Sequence, residues 1–118
     1  MPDRLPNHTN HRQRFAHRSE AEVARLLDFY GVQWRYEPTT FVLEEDADGS
    51  VRECFTPDFY LPQYDLYLEL TTQRPSLASR KHQKLRKLRE RHPDVNVKLL
   101  GVRDLHRLMV RFGRARGL

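Results

Sequence analysis

Two carboxylates stand out by their surroundings: Asp58, directly after Pro57, and Glu69, set between Leu68 and Leu70 in an apolar run. A carboxylate flanked by leucines needs solvent or a cation, because an unpaired charge is costly to remove from water. Carboxylate oxygens suit a hard divalent cation such as Mg²⁺ or Mn²⁺, which takes octahedral oxygen ligation. Beside a phosphodiester such an ion polarises phosphate and activates water, so hydrolysis of a nucleic-acid backbone is the chemistry this pair points to. The Leu70 carbonyl is a further candidate ligand, because its side chain turns to the core and leaves the main chain free. The competing role for Asp58 is to shape a turn, since Asp bonds nearby amides and Pro57 presets the geometry. Glu69 as a partner favours the metal.

These residues need elements to hold them. From Asp65 to Thr71 the chain alternates strictly, with Leu66, Leu68 and Leu70 on one face and Asp65, Tyr67, Glu69 and Thr71 on the other, the pattern of a strand. Pro75 and Ser76 open a helix with a narrow stripe of Leu77, Leu85 and Leu88, and His92-Pro93 ends it. Val95 to Leu100 is a buried strand, which the intervening helix joins to the previous one as a parallel β-α-β pair. An earlier helix runs from Ser19 to Tyr30 on Val23, Leu26, Leu27 and Tyr30, stops at Gly31, and has Ser19 and Glu22 in capping-box spacing. Val32 to Tyr36 and Thr40 to Leu43 are strand-like around Pro38, and a turn at EEDADGS leads to Val51–Phe55, giving a hairpin or meander. A last helix covers Asp104 to Arg111. Trp34, Tyr36 and Phe41 are assigned to the core rather than to base stacking.

The pattern predicts an α/β domain over residues 15–112, a flexible basic arm over 1–14 and a basic tail over 113–118. The sole cysteine, Cys54, excludes an internal disulfide and thiolate zinc chemistry, and is expected to be partly buried. His8, His11 and His17 have no compact ligand spacing. Neither a membrane span nor a signal sequence is evident, so the expected location is the cytoplasm, with no small-molecule cofactor. The net charge is +5, but its distribution says more. Residues 1–18 hold four Lys/Arg and one acid, 19–73 three and twelve, 74–118 fourteen and three. Carboxylates gathered in the middle and cations toward the ends fit a protein that meets a polyanion. The seven cations from Arg80 to Arg91 face one acid within the helix and should repel one another without a polyanion, which makes Arg80, Lys81, Lys84, Arg86 and Lys87 candidate phosphate contacts. A solvated helix face is the plainer reading.

The order of these features resembles the PD-(D/E)xK, restriction-endonuclease-like superfamily, in particular the phage endonuclease I type of Holliday-junction resolvase. The similarity runs over about residues 15–100: Phe15 through Ser19-Glu20-Ala21-Glu22, Tyr36-Glu37, Phe55-Thr56-Pro57-Asp58-Phe59-Tyr60-Leu61-Pro62, Leu68-Glu69, and Arg89-Glu90-Arg91-His92-Pro93. It implies a mixed central sheet flanked by helices with an α-β-β-β-α-β core. It further implies that Asp58 and Glu69 bind metal and that a carboxylate of the first helix, Glu20 by spacing with Glu22 as alternative, completes the site. For Glu22 the capping role is preferred. Such relatives act on branched or duplex DNA as dimers, so DNA and a second copy of the chain are the implied partners.

The chain departs from the motif at Thr71, where a lysine is expected two residues after Glu69. Threonine has no charge to orient water or stabilise a developing phosphorane, and is no base near neutral pH. Lys81, ahead of Lys84, is the candidate to reach back from the following helix, with Gln73 or Gln83 orienting water. The rival reading is an inactive relative that binds nucleic acid or serves in assembly.

Overall fold

A computed structural model describes residues 13–71 and 75–115. The elements are α1 (Arg18–Phe29), β1 (Arg35–Tyr36), β2 (Phe41–Glu45), β3 (Val51–Phe55), β4 (Phe59–Leu61), β5 (Leu66–Leu70), α2 (Pro75–Arg91), β6 (Val97–Leu100) and α3 (Val102–Ala115). Of the arm expected over 1–14, all but Gln13 and Arg14 lies outside the described residues, His8 and His11 included, as do Gln73, the Leu77 side chain and the part of the expected 113–118 tail beyond Ala115, whereas Gly113–Ala115 continue the last helix.

The alternation of β5 organises the fold. Leu68 and Leu70 enter one apolar cluster with Val23 and Leu27 of α1, Leu105 and Met109 of α3, and Trp34, Tyr36 and Phe59. Tyr67 faces the other way, into a second cluster with Leu85 and Leu88 of α2, Tyr60, Val97, and Leu43 and Phe55 of the β2–β3 hairpin. The four-stranded sheet has the order β1-β4-β5-β6. It is mixed, with β1/β4 and β4/β5 antiparallel and β5/β6 parallel. The parallel β5-α2-β6 unit is thus present, with α2 as the crossover that parallel neighbours require. The described residues form an α/β fold with a mixed sheet and three helices. The hairpin forms a separate two-stranded sheet whose register slips between Val42 and Glu45. Among the described residues no helix is long and apolar enough to cross a membrane.

Several boundaries differ from the sequence expectation. The first helix starts at Arg18, with extended His17 at its N-cap and no side-chain cap bond, so the Ser19–Glu22 capping box does not form. The preceding chain is already fixed, because Phe15 packs edge-on against Tyr36 at 4.9 Å and the Ala16 N–H donates to the Tyr36 hydroxyl at 3.2 Å. The strand expected over Val32 to Tyr36 shrinks to two residues, since only Arg35 and Tyr36 find partners on β4, although Val32 and Trp34 remain buried. The next strand lies at Phe41–Glu45 rather than Thr40 to Leu43, and β4 is an additional strand. The last helix is longer than Asp104 to Arg111, spanning Val102–Ala115. Cys54 is exposed, not partly buried. Trp34 and Tyr36 are core residues, while Phe41 is half-buried against Tyr67 and His92.

Candidate active site

The antiparallel register pairs Phe59 with Leu68, and one step further it sets Asp58 across from Glu69. The two are locked by reciprocal bonds: the Asp58 N–H donates to Glu69 Oε1 at 3.1 Å, and the Leu70 N–H donates to Asp58 Oδ2 at 2.8 Å. Each carboxylate thus fixes the other strand's backbone. From the crossover helix, the Lys81 ammonium lies 3.1 Å from Glu69 Oε2 and also donates to the Leu70 carbonyl. Glu69 is 6 % exposed, so this cation supplies the partner that a buried carboxylate requires.

On the other side of Asp58, the first turn of α1 delivers Glu20, itself 3 % exposed, whose Oε1 accepts from the Tyr36 hydroxyl. Glu37 follows, its N–H donating to the Asp58 carbonyl at 2.9 Å. Carboxylate oxygens of Glu20, Glu37 and Asp58 all lie within 4.8 Å of one another. These residues line one cleft of about 440 Å³, together with His17, Ser19, Glu69, Leu70, Thr71 and Lys81.

The crowding shows in the acidities. Burial and then the neighbouring Asp58 charge push Glu69 up to about 7 from 4.5, with Lys81 opposing. Asp58 is also raised, by burial and by Glu20, although the Leu70 amide and Lys81 pull it back. Burial raises Glu37 too, with Glu20 and Asp58 adding to the shift. The Tyr36 phenol is pushed well above 10 by burial and by its bond to Glu20, so it acts as a neutral donor. Three acids raised together in one cleft mark a place where added positive charge would be accepted.

Of the residues singled out in the sequence, Glu20, Asp58, Glu69, Leu70 and Lys81 meet in this cleft, and Thr71 lines it. Glu22 is exposed on α1 and Gln83 on α2; neither lines the cleft. Arg80 and Arg86 are exposed, and the Lys84 ammonium sits 6.0 Å from the centre of the Phe55 ring. Lys87 corrects an expectation. It is bound to Glu44 at 2.8 Å and Glu53 at 2.7 Å, and Arg91 to Glu45 at 2.7 Å, so hairpin carboxylates offset charge that the helix alone cannot balance. The mutual repulsion of the cations therefore does not by itself demand a polyanion.

Sequence reasoning gave no site role to Glu37 or Tyr36. Glu37 has φ 45°, although the residue before a proline is ordinarily confined to negative, extended values. A non-glycine residue held there needs surrounding contacts to fix it, and the Glu37 N–H bond to the Asp58 carbonyl is one of them. The metal-compatible trio comprises Glu20, Glu37 and Asp58, whereas Glu69 is engaged by Lys81; Asp58 alone belongs to both groupings. No protein-family model, curated protein or solved structure matches the chain.

Proposed function

We propose that this protein is a divalent-metal-dependent endonuclease of the restriction-endonuclease-like type, hydrolysing DNA phosphodiester bonds. The observation that carries the reading is the ion pair between Lys81 and Glu69 in the same cleft as Asp58 and Glu20. An ammonium from the crossover helix stands beside the motif glutamate, although position 71 holds threonine.

The donor set fits a hard cation, being made of carboxylate oxygens with a main-chain carbonyl nearby and no sulfur or imidazole donor in the trio. Asp58, Glu20 and Glu37 would hold Mg²⁺ or Mn²⁺, with Glu69 and the Leu70 carbonyl beside them. The bound ion supplies polarisation of the phosphate and charge to offset the negative oxygens that develop during hydrolysis. The chain's own contributions are distinct. Lys81 brings a fixed positive charge that can stabilise the extra charge on a phosphate entering the cleft. Tyr36 holds Glu20 in one orientation, and the reciprocal Asp58 and Glu69 bonds keep the carboxylates in place before substrate arrives, which spares reorganisation. Arg80, Lys84, Arg86 and Arg89 are the α2 cations without a carboxylate partner among the described residues, which leaves them for phosphates flanking the cleft. Action on branched DNA and assembly into a homodimer belong to the same proposal, through the resemblance set out above.

The test is incubation of purified protein with linear and branched DNA in Mg²⁺, Mn²⁺ or EDTA, beside Asp58→Ala and Glu69→Ala. Cleavage that needs metal and disappears in both variants supports the reading. Salt-sensitive binding without cleavage by the wild type refutes it and leaves a nucleic-acid-binding protein.

A further inference from the structure

A second basic surface lies on α3, away from the helix that the sequence singled out. Leu105 and Met109 are buried in the α1-facing core, with Val102 packed against it. Arg103, Arg107 and Arg111 are exposed. At 3.6 residues per turn, positions four apart drift by only about 40°, so the three arginines form one stripe within about 80° of arc, spaced by about 6 Å along the axis. That arc is opposite the core face. Exposed His106 flanks it.

The stripe carries a net positive charge, three arginines with Asp104 beside them. Among the described residues no carboxylate pairs with any of the three arginines, whereas Lys87 and Arg91 of α2 both have carboxylate partners. The one acid in this stretch, Asp104, turns its Oδ2 to the Gly101 N–H at 3.2 Å. Like charges four apart on a helix are mildly destabilising, so this arrangement favours a state in which an external polyanion neutralises them. Placement adds to the argument. The α3 helix follows directly on β6, whose Leu100 pairs with Leu70 and whose Leu100 carbonyl accepts from the Thr71 N–H at 2.9 Å. The stripe therefore begins at the end of the sheet where the cleft opens.

We infer that the Arg103–Arg107–Arg111 face of α3 is a binding surface for the phosphate backbone of a DNA duplex, holding a stretch of duplex outside the cleft. The inference rests on the nucleic-acid reading of the cleft, but not on its catalysis. An anionic membrane is a poorer occupant, because interfacial helices bury a broad apolar face in lipid, whereas Leu105, Met109 and Val102 of α3 are committed to the core and Leu108 is the one exposed large hydrophobic of this helix among the described residues. Guanidinium groups suit phosphate through paired N–H donors.

The experiment measures binding of a fluorescent linear duplex in EDTA across a salt series. It compares wild type with the Arg103→Ala/Arg107→Ala/Arg111→Ala triple variant and with the corresponding triple lysine variant, which keeps the charge and reports on folding. The alanine variant is expected to bind about tenfold or more weakly at low salt, with the slope of log affinity against log salt reduced by about three, one for each lost phosphate contact. The lysine variant should keep most of the wild-type slope. An alanine variant with wild-type affinity and slope overturns the inference. So does unchanged duplex binding accompanied by loss of binding to phosphatidylserine vesicles, which would assign the surface to lipid. Wild type that binds through the stripe but never cuts defeats the nuclease reading alone; cutting together with an unchanged slope in the alanine variant defeats this inference alone.

Discussion

Asp58 and Glu69 are tied across two antiparallel strands, the amide of the first donating to the carboxylate of the second at 3.1 Å while the first carboxylate accepts the amide of Leu70 at 2.8 Å. Each side chain is thus both a charged group of the cleft and a clamp on backbone geometry. Substitutions here will act on chemistry and on structure together, and the amide replacements separate the two because they keep an acceptor oxygen. Asp58→Asn is expected to remain folded by circular dichroism, with Tm within about 5 °C of wild type, and to lose DNA cleavage by at least about a hundredfold. Wild-type cleavage by this variant would remove Asp58 from the chemistry.

Lys81 stands where its ammonium meets Glu69 and the Leu70 carbonyl, and a lysine at position 71 would carry the same charge on the strand itself. Lys81→Ala should reduce cleavage by roughly 10²-fold or more, in line with the loss of one preorganised charge from an active site. Adding Thr71→Lys to that variant should recover activity to within about tenfold of wild type. Single-turnover cleavage of a defined duplex checks both, and failure of the second substitution to restore any activity would show that position 71 is not interchangeable with position 81.

The raised pKa of Glu69 makes stability depend on pH with a definite sign. In the folded protein it holds its proton up to about 7, whereas the unfolded chain releases it near 4.5. Between those values the folded state binds more protons, so this residue's stabilisation is present below about 4.5 and is lost as pH rises through about 7. In EDTA, the Tm of wild type relative to Glu69→Gln should therefore fall across this window by roughly 5 °C. Asp58 and Glu37 are shifted the same way, so Glu69→Gln alone should retain part of the slope. Thermal denaturation followed at fixed ionic strength gives the comparison, and a parallel pair of curves would contradict it.

The Tyr36 hydroxyl receives the Ala16 N–H and donates to buried Glu20. Tyr36→Phe leaves both without this partner, and should cost about 1–3 kcal/mol in urea denaturation, the usual penalty for stranding a buried polar group. Mg²⁺ binding should also weaken, since Glu20 loses the contact that orients it. Unchanged stability and metal affinity would mean that the phenol is dispensable to the cleft.

Cations on α2 should divide by their partners. Lys84→Ala is expected to lower the salt slope of duplex binding by about one, because Lys84 has no carboxylate partner among the described residues. Lys87→Ala should leave the slope unchanged, because its charge is neutralised by Glu44 and Glu53. Equal effects of the two substitutions on a titration series would show that the hairpin pairs break when DNA binds.

What could be read in the sequence was local and periodic. The strict alternation around Glu69, the Leu85–Leu88 stripe and the Val23–Leu27 stripe each named an element, and the structure has β5, α2 and α1 there. The three-residue β4 was hidden because so short a run shows no period of its own and gains its partners from β1 and β5. The start of α1 was misjudged by one residue, because serine suits a cap intrinsically while tertiary contacts of Phe15 and Ala16 decide the entry. Charge pairing was least legible. Lys87 meets Glu53 at a separation of 34 residues and Arg91 meets Glu45 at 46, distances over which no sequence pattern reports. Glu37 joins Glu20 and Asp58 through the same kind of long-range convergence.

The hairpin's grip on α2 offsets much of the positive charge at that helix's C-terminal end. In its C-terminal half Lys84, Arg86, Lys87, Arg89 and Arg91 stand beside Glu90, and Lys87 and Arg91 are paired with Glu44, Glu53 and Glu45 of the hairpin, five cations against four acids. Toward its start Lys81 pairs with Glu69, Arg80 has no ion-pair partner among the described residues, and the helix N-terminus adds its own partial positive charge. The helix is therefore held electrostatically to two different sheets, to the hairpin by Lys87 and Arg91 and to the strand of Glu69 by Lys81, which ties the position of the cleft cation to the position of the hairpin.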